Sequence, residues 1–181
     1  MENIIAEHLE VTLSMFDSLP QIDEISNAII HSYKNGGKVL TMGNGGSSCD
    51  AEHMVGELVS KFLIDRDGLP AICLSSHTST LTAIGNDFNY DSVFSRQVKA
   101  YAKARDVVVG FTTSGTSPNI IKGLEMAREL ECIPVLITGN KVKNDEFLTL
   151  NINSSHTPRI QEAYYLAMHM ICEKVEHELF G

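Results

Sequence analysis

The chain has 181 residues, 43% hydrophobic and 20% charged, which suits one ordinary globular domain with a full core and argues against disorder. Its formal net charge of -9 argues against nucleic acid or an anionic membrane as the main partner. No apolar run is long enough to span a bilayer, the start Met1-Glu2-Asn3 is no signal peptide, and Cys49, Cys73, Cys132 and Cys172 form no Cys-x-x-Cys pair, so reduced thiols in a cytoplasmic protein are expected.

Ile4, Ile5, Leu9, Leu13 and Phe16 recur at helical spacing and predict a helix over residues 2–19, stopped by Pro20. A second helix is expected over 22–34, with Ile25, Ile29, Ile30 and Tyr33 inward and Asn35-Gly36-Gly37 past its end. These helices, residues 1–36, form an N-terminal extension expected to cover the sheet or to pack against a neighbouring subunit.

From Lys38 the pattern alternates strand and helix. Strands are expected at 39–42, 70–74, 106–111, 133–138 and 147–152. Helices are expected at 48–63, in a short stretch towards Ile84, at 119–130 with Pro118 in the first turn, and at 158–179. Short apolar strands alternating with helices imply an α/β fold: a five-stranded parallel sheet covered on both faces, in a single domain. Ligands in such folds bind beyond the carboxyl ends of the strands. The last helix carries Ala163-Tyr164-Tyr165-Leu166-Ala167-Met168-His169-Met170-Ile171-Cys172, apolar nearly all round. A chain this short can hardly bury such a helix alone, so an oligomer is expected.

The richest stretch is Gly43-Asn44-Gly45-Gly46-Ser47-Ser48, between the first strand and the next helix. A glycine turn feeding a helix start exposes backbone N–H groups to an anion. Neither the Walker pattern nor the dinucleotide fingerprint is matched, and a plain tight turn is an equal reading of these residues alone. His53 and Glu57, four apart on that helix, share a face. A second loop, Thr112-Thr113-Ser114-Gly115-Thr116-Ser117, has Ser or Thr at five of its six positions, more than one helix cap needs. Both loops follow strands, so both open on the same sheet edge, where amides and hydroxyls can hold a phosphate without Lys or Arg. Asn86 and Asp87 close a helix, as a plain cap or as partners of sugar hydroxyls. Gln161 and His169, eight apart on the last helix, lie on broadly neighbouring faces.

Gly43-Asn44-Gly45-Gly46-Ser47, the pair His53 and Glu57, Ile84-Gly85-Asn86-Asp87-Phe88, Thr113-Ser114-Gly115 and Arg159-Ile160-Gln161-Glu162 with His169 resemble, in order and spacing, the phosphoheptose isomerases of the sugar-isomerase (SIS) domain family. The resemblance covers essentially the whole chain. It implies a homotetramer of three-layer α/β/α sandwich domains. It implies conversion of sedoheptulose 7-phosphate to glycero-manno-heptose 7-phosphate, for bacterial lipopolysaccharide heptose, and bound zinc. By the same resemblance, His53, Glu57, Gln161 and His169 would ligate zinc. Asn44, Gly45, Gly46, Asn86, Asp87, Thr112, Thr113, Ser114 and Ser117, with Glu57 and Gln161, would contact substrate. Glu57 and His169 would be the acid/base pair.

The chain departs from the family pattern at three places. Thr112 stands where Ser is common, Pro158 where some members carry Asp, and the segment 139–143 is shorter and poorer in glycine. A second reading is a non-catalytic tetrameric adaptor on the same fold, resembling a partner protein of bacterial replication initiation. That relative lacks the full metal and acid/base set, which this chain has. A phosphosugar-sensing module is a third, but no helix-turn-helix or basic patch accompanies the domain.

Overall fold

A computed structural model of the chain describes residues 1–139, 142 and 145–181. Four of the residues in and beside the short segment after Thr138 (140, 141, 143 and 144) therefore lie outside the described residues, and with them the departure noted there.

The first two helices divide differently from the expectation. α1 runs Glu2–Ser14, a 3-10 turn spans Met15–Ser18, and α2 runs Leu19–Lys34 with Pro20 in its first turn. Pro20 therefore opens a helix, where its missing N–H is no loss. β1 (Val39–Gly43) leads into α3 (Gly46–Val59), and β2 (Ala71–Cys73) into α4 (Thr78–Asp87). A helix without a sequence expectation, α5 (Val93–Tyr101), comes next. β3 (Val107–Thr112), α6 (Pro118–Glu129), β4 (Ile133–Thr138), β5 (Leu148–Asn151) and α7 (Thr157–Phe180) complete the chain. Among the described residues no helix is long and apolar enough to cross a membrane.

The five strands are all parallel, in the order β2-β1-β3-β4-β5. Side chains alternate between the two faces, as a pleated strand requires. Val39, Val107, Val109, Phe111, Val135 and Ile137 enter the core under α2, α3 and α7. Leu40, Met42, Val108 and Leu136 enter the core under α5 and α6. These three layers are the expected sandwich. The chain winds from β1 to β2 on one side and from β3 onward on the other, so the switch point lies between β1 and β3. There Gly43 pairs with Phe111, and the two strands end level. α6 approaches closely because Gly110 and Gly123 carry no Cβ. One on Gly110 would stand 2.7 Å from the Ile120 side chain, and one on Gly123 2.7 Å from Met42.

α3 and α7 run side by side in the same direction, and a buried ion pair ties their far ends. Glu176 is 1% exposed. Its carboxylate accepts from the N–H groups of Phe62 (2.9 Å), Leu63 (2.5 Å) and Ile64 (2.8 Å) and from Arg66 Nε (2.7 Å). The same guanidinium donates to the carbonyls of Glu57 (2.9 Å) and Leu58 (3.0 Å), which the last turn of α3 leaves open. This capping accounts for the end of α3 at Val59, short of the expected 63. Burial pushes the Glu176 carboxyl up, but the three N–H groups and Arg66 outweigh it and hold it at about 2. A carboxyl lowered in the folded state contributes stability above its unfolded value, lost as the pH falls from the ordinary range towards 2.

α1 is held to the start of α7 by polar ties. His8 Nδ1 meets Glu162 at 2.7 Å, and Arg159 donates to the Ile4 carbonyl at 3.3 Å. Its apolar side chains face away: Ile4, Ile5, Leu9 and Leu13, like Phe16 in the 3-10 turn that follows, are all more than half exposed, and Val11 is the buried residue of the helix.

Glu176→Ala leaves Arg66 buried without its partner. It is expected to cost about 3 kcal/mol and so lower the midpoint of thermal unfolding by roughly 6–12 °C at neutral pH. The deficit should shrink as the pH falls from about 4.5 towards 2, where the carboxyl of the unfolded wild-type chain takes up its proton before the folded one does; melting curves across pH 2–7 test both statements.

Candidate active site at the switch point

At the carboxyl edge β1 turns through Gly43 to Gly46. A Cβ on Gly43 would stand 2.1 Å from the Ser47 carbonyl oxygen, and Gly45 has φ +56°, so both positions require glycine. The turn is closed by Ser47 N donating to the Asn44 carbonyl and Ser48 N to the Gly45 carbonyl, each at 3.0 Å. After β3, Thr112 Oγ1 lies 2.9 Å from Ser117 Oγ and 3.3 Å from Ser114 Oγ, and Gly115 turns with φ +70°. A cleft of about 110 Å3 opens between the turns, lined by Asn44, Ser47, Phe111, Thr112, Thr113 and Ser117. Two helices, α3 and α6, begin at it. The positive end of a helix favours an anion, although here the Ser47 and Ser48 N–H groups close the turn and that of Ile120 is taken by Asn119 Oδ1. Among the described residues no cation lines this cleft, in a chain of net charge -9. What those residues offer an anion is dipoles and hydroxyls.

One to two turns along α3 lies the second constellation. His53 Nε2 is 2.8 Å from Glu57 Oε1, and His169 Nε2 from α7 is 3.5 Å from His53 Nε2. One ligand atom from each of the three lies within 4.8 Å of the others, and all three residues are half-buried. Two imidazole nitrogens and a carboxylate oxygen form a donor set that fits a borderline divalent cation with an open position. Aromatic rings wall this cluster: Phe62 stands 5.4 Å from the His169 ring and Tyr165 5.2 Å from the His53 ring.

Gln161 joins the two constellations. Its amide Nε2 lies 2.3 Å from where a Cβ on Gly46 would be, at the mouth of the cleft, on the same helix as His169. It also faces Asp50. Asp50 is 2% exposed, and its Oδ2 has no hydrogen-bond partner. Burial pushes its carboxyl up to about 6, against the pull of the Gln161 amide and the His53 ring. Asp50 escaped the sequence reading, although its position three before His53 and seven before Glu57 puts all three on one helical stripe. Phe62 and Tyr165 gave no sequence signal.

The expected site residues are not all brought together within one chain. Asn44, Thr112, Thr113 and Ser117 line the cleft, with Gly45, Gly46 and Ser114 in its turns. Asn86 and Asp87 do not line it. Both are exposed at the end of α4, where Asn86 donates to Asp87 at 2.8 Å. Pro158 sits in the first turn of α7.

Comparison with known proteins bears on the family and the fold. The family model for the SIS domain matches residues 7–139. The chain is 48% identical over 177 residues to a phosphoheptose isomerase of Citrifermentans bemidjiense, covering 96% of this chain and 92% of that protein. Its fold superimposes on a phosphoheptose isomerase from Francisella tularensis with TM-score 0.88 and 30% identity, covering 97% of each chain. For the protein from Neisseria gonorrhoeae the TM-score is 0.86 and the identity 33%, with coverage of 97% and 98%.

The two cleft glycines should respond differently to alanine. Gly43→Ala meets backbone that cannot give way and should cost about 1–3 kcal/mol. Gly46→Ala meets the end of a flexible side chain and should stay within about 1 kcal/mol. Thermal unfolding of the two variants separates them.

Proposed function

The chain belongs to the SIS domain family and to its phosphoheptose isomerases, and on that footing we propose that it interconverts sedoheptulose 7-phosphate and D-glycero-D-manno-heptose 7-phosphate through an enediol. The observation that carries this reading is an anion cleft at the start of α3 and, further along that helix, His53 and Glu57 joined by His169 from α7. Gly46 and His53 are seven residues apart on α3, about 10 Å along its axis. A sugar phosphate bound by its phosphate at the first can present its carbonyl end to the second.

The backbone of the Asn44–Ser47 turn and the hydroxyls of Thr112, Thr113, Ser114 and Ser117 hold the phosphate. Gln161, between the two constellations, faces the sugar chain. Asn86 and Asp87 remain candidates for sugar hydroxyls. Glu57 has its Oε1 turned to His53, and its second oxygen takes the proton from carbon. His169 moves a proton between the two oxygens of the enediol. His53, Glu57, Gln161 and His169 are the residues to hold zinc, which when bound supplies Lewis acidity at the substrate oxygens. The gathered acid/base set favours an enzyme over a non-catalytic adaptor.

The exposed apolar face of α1 supports assembly into a homotetramer. Leu13, Met15, Phe16, Leu19, Leu166 and Met170 edge an apolar groove of about 180 Å3 that a second copy can cover, and residues 1–36 are the proposed packing extension of a single domain. Four free cysteines, Cys49 exposed among them, support a cytoplasmic location. The heptose phosphate formed there would feed lipopolysaccharide synthesis.

Incubation of the purified protein with sedoheptulose 7-phosphate should yield the aldose, followed by NMR. Glu57→Gln and His169→Ala should keep the wild-type melting point within a few degrees and lower kcat/KM by at least about 100-fold. The unphosphorylated heptulose should be poorer by a comparable factor; equal kcat/KM for both sugars would remove the phosphate assignment.

Calorimetric titration of metal-free protein should find one zinc per chain, with affinity lowered at least about tenfold in His53→Ala. Wild-type zinc affinity in that variant would refute the ligand set.

A further inference from the structure

The phosphate reading leaves one buried amide beside the cleft without a role. Asn119 is 3% exposed and follows Pro118 in the first turn of α6. It does not line the cleft. Its Nδ2 donates to Asn44 Oδ1 at 2.9 Å, and its Oδ1 accepts from Asn44 Nδ2 at 2.9 Å. Two carboxamides joined this way form a closed ring, which fixes the plane and direction of both. Asn119 Oδ1 also accepts from the Ile120 N–H at 3.0 Å, and Asn44 Oδ1 takes a second bond from the Tyr90 hydroxyl at 3.0 Å. The Asn44 oxygen thus has both acceptor positions filled. That oxygen is committed to the protein, and what Asn44 has left for a ligand is its backbone and the second N–H of Nδ2.

The amide ring spans two separate pieces of chain. Asn44 belongs to the turn after β1, and Asn119 opens the helix after β3. The strands end level, but the turns themselves are not continuous. We propose that Asn119 is a positioning residue, a strut that holds the Asn44 turn at the spacing at which its N–H groups and the Thr112–Ser117 hydroxyls converge on one phosphate. This inference rests on the reading of the cleft as the phosphate site.

The test is a double-mutant cycle read by KM for sedoheptulose 7-phosphate and by Ki of inorganic phosphate. Asn119→Ala should raise both about tenfold while kcat stays within about twofold, because the acid/base pair lies further along α3. In the Asn44→Ala background the same change should add less than about twofold, since its route of action is already gone. Asn119→Ser keeps an oxygen near the Ile120 amide but cannot reach Asn44. It should reproduce the tenfold rise, and it replaces the alanine variant should that one not fold. Wild-type KM and Ki in the Asn119 variants, or losses that multiply in the double variant, overturn the strut. A wild-type protein that neither isomerises the sugar phosphate nor is inhibited by phosphate overturns the functional reading instead.

Discussion

Glu176 is a buried anion surrounded by four donors, and its location decides where α7 lies against α3. A charge removed from water is tolerated only when its hydrogen-bonding capacity is filled. Three consecutive N–H groups and a guanidinium fill it here, and that guanidinium also closes the open carbonyls of Glu57 and Leu58. The consequence reaches the chemistry. With the far ends of the helices tied, His169 falls beside His53 and Glu57, one ring nitrogen 3.5 Å from the other. Gln161 falls beside Gly46. The loop that Glu176 gathers also brings Phe62 against the His169 ring.

The two edges of the sheet handle charge in opposite ways. At the amino edge Asp106 is filled by the Lys38 N–H at 2.9 Å, by its ammonium at 2.5 Å and by the Lys103 N–H at 2.8 Å. At the carboxyl edge two helix starts and a set of hydroxyls meet around a cleft with no cation among the described residues. Dipoles and hydroxyls fixed by the fold need little reorganisation when an anion arrives, and they suit a site whose guest must also leave.

The apolar surface of α1 is the least self-sufficient part of the chain. His8, Arg159 and Glu162 pin one side of α1 to α7, which turns Ile4, Ile5, Leu9 and Leu13 outward, with Phe16 exposed in the turn after it. Tyr165 and Leu166, from the stretch of α7 read as apolar all round, are also more than a third exposed. Scattered apolar residues on a surface need no explanation; a contiguous run is the kind of surface the proposed assembly would cover.

Much of the fold was legible in the chain itself. β4 begins and ends where its apolar run does, at Ile133 and Thr138. The glycine turn before α3 and the hydroxyl loop before α6 were identifiable because backbone geometry restricts which residues can stand there. The break between α1 and α2 was expected at Pro20 but falls at Met15–Ser18, since a 3-10 turn keeps apolar residues near helical spacing. α5 was missed because its inward residues, Val93, Phe94 and Val98, are too few to set a period. Spacing also put His53 and Glu57 on one face, a property of the helix alone. That His169 joins them, that Asp50 is sealed in beside Gln161, and that Asn119 grips Asn44 depend on residues more than seventy positions apart. Local periodicity carries no information about such pairs. Their meeting is decided by how the layers pack and by a buried carboxylate that sets one helix against another.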